Sequence, residues 1–483
     1  MIAAWRICRE EWRYWSRSRL AIAAALLAAF VSVAAVTSTM AWVSAEASSR
    51  QTMQTAAEEA FRSQPDRHPH RMVHYGHYVF RTPAPLAVLD PGVDRLTGSV
   101  MFLEGHRQNS ATFPPTYASP QVAGFERLTP AFTYQVLVPL LLIVVGFSVV
   151  ARERELGTDV QLTAQGVRPG HVVLGKFSAL FSLALLLMAP LVLGSVLATR
   201  GGEPASTAAT LVFAYGLYLA FWSLAIVAIS AHASRPALAL LGGCVAWTLV
   251  AVVVPRIAAD VGATASPVSG RIESDLALLE DLREVGDGHN VADPAFEGLR
   301  ARVLAEYGAE RPEDLPVNMR GIVAEASEAR LTEVLNRYAE ARMAAELQQA
   351  ELTRRAAFLS PTAALRTVSM RTAGTDLENH HRFLRAAENA RFDFVQELNR
   401  VHIQELSYID DVNRNLDEAS GIRARVSADN WRVLQSFDFA PAAAGERLRS
   451  AAPYLLLLLL WTVGTAWFAL AGVRNTEGWL HAR

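Results

Sequence analysis

Cysteine is almost missing from this chain: Cys8 and Cys244 are the only two in 483 residues. One precedes the first long apolar run and the other lies inside the fifth, so no disulfide framework holds the loops. Lysine is scarcer still, since of 45 basic residues only Lys176 is lysine, a bias we assign to genome composition. The net charge of −2 is spread over both signs, and no basic face suited to nucleic acid emerges. Nucleophile-elbow and HExxH patterns are absent, as are paired carboxylates in a pocket context, so the chain is not read as an enzyme. One absence is positional: six apolar runs contain no Asp, Glu, Lys or Arg in their interiors. Ion-coupled carriers and channels usually place charge at membrane depth, so that mechanism is excluded and any driving force comes from outside the bilayer.

What is present is hydrophobic length. Hydrophobic residues make up 51% of the chain and charged residues 19%, a mixture that fits membrane runs separated by polar loops. A spanning helix needs roughly 20 apolar residues, and residues 20–43, 132–151, 177–198, 207–230, 236–255 and 452–473 qualify. The first run exceeds the roughly 7–15 residues of a signal-peptide core, so it is read as a retained anchor. Residues 1–19 form an expected interfacial helix, with Arg6, Arg9, Arg13 and Arg17 beside Trp5, Trp12 and Trp15. Arginines also mark the short segments 152–176 and 231–235, placing both termini and these segments in the cytoplasm by the positive-inside rule. The expected fold is an all-α protein of the bacterial inner (cytoplasmic) membrane, multi-pass. Residues 44–131 are expected to form a small irregular extracytoplasmic cap, Pro- and His-rich, with strands in Met72–Arg81 and Ser99–Leu103. Residues 256–451 form a larger, mostly helical extracytoplasmic domain built on a long hairpin, and residues 474–483 a cytoplasmic tail. Apolar positions Ile322, Ala326, Val334, Tyr338 and Ala345 mark its first arm.

Several motifs invite chemistry. Residues 170–177 read GHVVLGKF, a phosphate-loop pattern up to its last position, where Phe177 replaces the magnesium-binding hydroxyl and no strand precedes the loop. It is rejected, and Lys176 is expected to snorkel from a helix end. His68, His70, His74 and His77 lie within ten residues and offer imidazoles for zinc or copper, while Pro69, Tyr75 and Tyr78 suit an ordinary packed loop. Asp411, Asn413, Asn415 and Asp417 imitate the start of a calcium loop, but Leu416 and Ile422 stand where Gly and Glu are needed. A helix end with solvated acids is expected there. Pro139 and Pro190 fall within apolar runs, where they free carbonyls.

The polar turn at residues 152–171, RERELGTDVQLTAQGVRPGH, joins two apolar runs. A segment of this length carries one short helix between two rigid ones. It resembles the first cytoplasmic loop of type-2 ABC exporter permeases, with Glu153, Glu155, Gly157 and Thr158 at the matching positions. The stretches HPHRMVHYGHYVF, LAVLDPGV, LEGHRQN, LSPTAALR and AGTDLENHHRF resemble a bacterial permease family with a domain of unknown function between its last two transmembrane helices. The resemblance implies that the loop is a coupling helix seated in a separate ATP-binding subunit. It implies pairing with a second copy or a sister permease, ATP and magnesium bound only in the partner ATPase, contact with membrane lipids, and an envelope partner for the outer domain. Export is the expected direction. A receptor or scaffold whose helical outer domain binds a ligand or envelope partner is the alternative, and it would ordinarily carry a cytoplasmic output module.

Overall fold

The computed structural model describes residues 2–112, 128–268 and 270–480. Part of the 44–131 segment, residues 113–127, and the end of the tail, 481–483, lie outside the described residues. Helix α1 (Ile2–Trp15) packs across a later helix, and Ser18 then caps α2 (Arg19–Arg62) by accepting from the Ala21 amide. Short helix α3 (Pro69–Tyr75) leads through Gly76, at φ 59, into β1 (His77–Phe80). This strand pairs antiparallel with β2 (Val100–Leu103), in the register His77↔Leu103. The expected strand over 72–81 is therefore half helix, because Pro69 starts a helical turn that Gly76 ends.

The bundle follows as α4 (Pro130–Glu155), α5 (Thr158–Ala164), α6 (Pro169–Leu187), α7 (Ala189–Arg200), α8 (Ala205–His232) and α9 (Pro236–Ala265). Beyond it lie α10 (Arg271–Leu282), α11 (Glu297–Tyr307), α12 (Met319–Arg354), α13 (Pro361–Ala373) and α14 (Leu377–Glu405). The last helix is α15 (Ala444–Leu480). Among the described residues, six helices are long and apolar enough to cross a membrane: α2, α4, α6, α8, α9 and the 444–474 part of α15. Helical membrane architecture is what such lengths permit, because each helix satisfies its own backbone in lipid.

Several boundaries differ from expectation. Helix α2 runs 44 residues to Arg62, so the 44–131 segment opens as a helical continuation rather than as an irregular cap. The switch to polar and charged residues after Val43, such as Glu46 and Arg50, made the end of the apolar run look like the end of the helix. The 177–198 run divides at Met188, just before Pro190, into α6 and α7. The 236–255 run extends to Ala265, and the 452–473 run begins at Ala444.

The largest correction concerns 256–451. Ser360 and Pro361 start α13, Gly374 at φ 69 ends it, and Asp376 caps α14. Helix α13 does not stand away from the bundle. Ala364, Leu365, Val368 and Ala373 are buried in the same apolar core as Leu142, Leu180, Tyr215 and Leu458. At its start the Trp461 indole donates to the Ala357 carbonyl at 3.3 Å, roughly 14 Å along the helix from Ala452 at 1.5 Å per residue. Near its end Arg371 donates to the Ser450 carbonyl at 2.6 Å. Thus α13 is a short helix wedged among α8, α9 and α15 within the apolar layer. Its Thr and Ser residues hid this from hydropathy.

The two long inter-helical segments also share one core: Phe61, Met72, Val79 and Leu103 pack with Phe383, Phe394, Leu398 and Trp431. Each such side chain contributes on the order of 1.5–3 kcal/mol by burial. They form one domain, at the end of the bundle opposite α5, rather than a cap and a separate hairpin.

Candidate functional site

The turn predicted as a coupling element is built from a helix end, a left-handed glycine and a seven-residue helix. Gly157 at φ 69 stops α4 and starts α5, and Gly166 at φ 74 follows its end. A side chain at either φ is strained, although both glycines face open space. The tip presents Leu156 and Val160, 68% and 45% exposed, beside exposed Glu155. Thr158 instead turns inward and bonds Glu153. The four predicted residues therefore divide: Glu155 and Gly157 face outward, whereas Glu153 and Thr158 anchor the base.

That base is ionic. Lys176 Nζ lies 2.5 Å from Glu11 and 2.7 Å from Glu153, and Arg152 lies 2.8 Å from Glu11. Lys176 is 2% exposed, so it does not snorkel; α1 lies over it and supplies a carboxylate. Gly175 permits this approach, because a Cβ there would meet the Ala4 carbonyl oxygen and Ile7 Cβ at 2.7 Å. Arg154 donates to the Ala231 and Ala233 carbonyls at 2.6 and 2.5 Å, satisfying orphan acceptors at the end of α8. The GHVVLGKF stretch lies in α6 from its first turn onward and makes no phosphate loop.

From this base α4 runs to the opposite end, and its proline changes its contacts. A π-helical turn at Thr133–Leu137 precedes Pro139. Gln135, whose carbonyl would bond a Pro139 amide in a regular helix, accepts instead from the Tyr218 hydroxyl at 2.6 Å. Thr362 of α13 bonds the same hydroxyl at 2.8 Å, and Tyr215 bonds Ser369 at 3.0 Å. A second π turn, Thr248–Val253, precedes Pro255, and its Val250 carbonyl accepts from Ser360 at 2.6 Å. Tyr134 donates to Leu187 at the α6–α7 break, 2.7 Å away. Proline-disturbed carbonyls thus bind α13 to α4, through Tyr218, and directly to α9. Sequence showed the prolines but not their partners, which come from remote helices.

The four predicted histidines separate. His77 packs between Phe61 and Phe394, and burial pushes its imidazole down to about 4. His68 caps α3 through Nδ1 and lies 3.0 Å from Asp411 through Nε2. Asp411 also takes bonds from His402 at 2.7 Å and Asn318 at 3.2 Å, with Arg414 beside it. Burial would raise the Asp411 carboxyl, but the His402 and His68 bonds hold it far below the usual range. Asp411 is fully buried, so the calcium-like stretch is no solvated helix end at that position. Asp417 does cap a short helix, accepting from the Ala419 and Ser420 amides. His70 and His74 remain together and are joined by His106 and His289, neither of which local spacing pointed to.

A second buried group closes the domain. Arg391 bonds Glu388, Thr332 and Glu328. Burial opposes the ionised Glu328, yet the His106 bond and the Arg391 charge hold its carboxyl at about 2. The buried positions of α12 include Val323, Ser327, Glu328 and Leu335, while the predicted stripe of Ile322, Ala326, Val334, Tyr338 and Ala345 is only half-buried.

The domain at this end is also what comparison identifies. The family model for a domain of unknown function, DUF3526, matches residues 271–440. The match covers roughly a third of the chain and falls between the last two candidate spans, α9 and the 444–474 part of α15. No curated protein matches the chain.

Proposed function

We propose that this chain is the membrane-spanning permease subunit of an ATP-driven ABC transporter, working in export with a separate ATPase subunit docked on α5. The observation that carries this reading is the tip at Leu156, Gly157 and Val160. It is apolar and exposed, and it is mounted on a buried Glu11–Lys176–Glu153 base that resists sliding. A push on α5 passes into α4, and through Tyr218 into α13 and the outer domain. The arginines around α1 and 152–168 support a cytoplasmic position for this end, with the DUF3526-matching domain on the other side. The subunit pairs with a second copy or a sister permease, and ATP with magnesium belongs to the ATPase. Motion delivered to the outer domain serves either substrate passage or mechanical work on an envelope partner.

The test is copurification and ATP-dependent transport in vesicles containing the chain with its ATPase. Leu156→Asp with Val160→Asp is expected to abolish ATPase recovery while leaving membrane insertion intact. Gly157→Val is expected to retain assembly and lose coupling. Transport by the wild-type chain without any ATPase would overturn the reading, as would undiminished ATPase recovery by the double variant.

A further inference from the structure

Four imidazoles from three separate stretches converge where the first inter-helical segment meets the second. His70 and His74 are one turn apart on α3, His106 follows β2, and His289 lies between α10 and α11. Their offered nitrogens all lie within 4.8 Å of one another. His70 Nε2 is 3.1 Å from His74 Nε2 and 3.0 Å from His289 Nε2. The ring centroids of the cluster are 4.7–6.3 Å apart.

Proton positions decide what such closeness means. His106 Nδ1 lies 3.0 Å from Glu328 and His289 Nδ1 lies 3.1 Å from Asp287. A carboxylate only accepts, so both rings carry their proton on Nδ1 when neutral and present a bare lone pair at Nε2. His70 Nε2 therefore cannot satisfy both neighbours. If it carries a proton, it donates to His289 and faces His74 with no lone pair; if bare, it meets the His289 lone pair directly. His106 Nε2 is buried with no protein partner among the described residues. His106 also holds φ 65, and it is the only non-glycine at positive φ among the described residues, a strain typical of functional positions.

A cation at the centre resolves this arrangement, and carboxylates behind ligating imidazoles are the usual outer support of a metal centre. We propose that His70, His74, His106 and His289 bind one divalent ion of the zinc class through their Nε2 atoms. Four neutral nitrogens suit tetrahedral zinc, whose bonds of about 2.0–2.1 Å place ligand nitrogens roughly 3.4 Å apart. Magnesium and calcium would require oxygen donors. The ion ties the 285–290 loop of the DUF3526-matching region to α3 and to the turn after β2, clamping the two halves of the outer domain. This inference is independent of the transport reading.

The test uses the full chain, free of any histidine tag, in detergent micelles. It is stripped with chelator, exposed to zinc or cobalt and desalted. We expect about one zinc per chain by elemental analysis, visible absorption of four-coordinate cobalt, and a metal-dependent rise in Tm. His74→Asn with His289→Asn alters exposed side chains and is expected to lose the ion. Asp287→Ala keeps all four ligands and is expected to weaken affinity on the order of tenfold. His171→Gln, remote on α6, is expected to bind as wild type. Zinc content equal in wild type and in the double variant would overturn the proposal, as would no binding by the wild-type chain.

Discussion

Lys176→Met removes the only ammonium side chain in the protein from between two carboxylates. Glu11 is 2% exposed and keeps Arg152 at 2.8 Å; Glu153, 21% exposed by side chain, keeps Thr158 and the more distant Arg152 at 4.0 Å. Breaking a buried pair typically costs about 3–5 kcal/mol. Residual pairing to Arg152 and water access at Glu153 lower the expected loss to about 2–3 kcal/mol. The effect should be strongest where α1 meets α6, because Glu11 ties α1 to Lys176 of α6. Equilibrium unfolding in mixed micelles, followed by fluorescence of Trp12 and Trp15, reads that region. Glu11→Gln added to Lys176→Met should cost less than the sum of the single changes, since the first removes the charge that the second strands. A Lys176→Met protein within about 0.5 kcal/mol of wild type, or strict additivity in the cycle, would refute the buried-base argument.

Other consequences follow from the same contacts. His77 has a folded pKa near 4 because of burial, below its unfolded value of about 6.5. Its contribution is therefore present above pH ~6.5 and lost as pH falls toward ~4, about 2 kcal/mol less stability at pH 5 than at neutrality. His77→Phe should flatten that part of a Tm-against-pH profile, and an unchanged profile would count against it. Tyr218→Phe removes the donor to Gln135 and the partner of Thr362. It should cost about 1–3 kcal/mol and loosen α13, measured as faster amide exchange across Pro361–Ala373. Gly175→Ala sets a Cβ against the Ala4 backbone and should displace α1, read as faster proteolysis before Ser18 with α2 still inserted. Gly157→Ala meets no neighbour and should cost only about 1 kcal/mol of backbone strain, read as a small fall in Tm with expression unchanged.

Much of the architecture was legible in the chain because hydropathy is a local property. Six apolar runs gave six candidate spans, whereas α13, bounded by Ser360-Pro361 and Gly374, is hidden in what reads as one long hairpin. The loop at 152–171 announced its short helix through its length between two rigid helices. What hydropathy could not reveal was the position of α13: its Thr and Ser residues read as a polar connector, yet Tyr215, Tyr218 and two disturbed carbonyl groups, in α4 and α9, supply polar partners inside the apolar layer. Lys176 misled for the same reason. A lone lysine at an apolar boundary reads as snorkelling until Glu11, 165 residues away along the chain, closes over it.

The histidines show the division most clearly. Sequence spacing alone grouped His68, His70, His74 and His77, whereas the fold put His70 and His74 one turn apart on a helix. Tertiary structure sent His68 to Asp411 and His77 into an aromatic core, then brought His106 and His289 to the remaining pair. The sequence determined the elements, because periodicity, capping and apolar length act within a few residues of each other. The sites were decided only by folding, because hydrogen bonds, ion pairs and lone-pair convergence require groups that the chain keeps far apart.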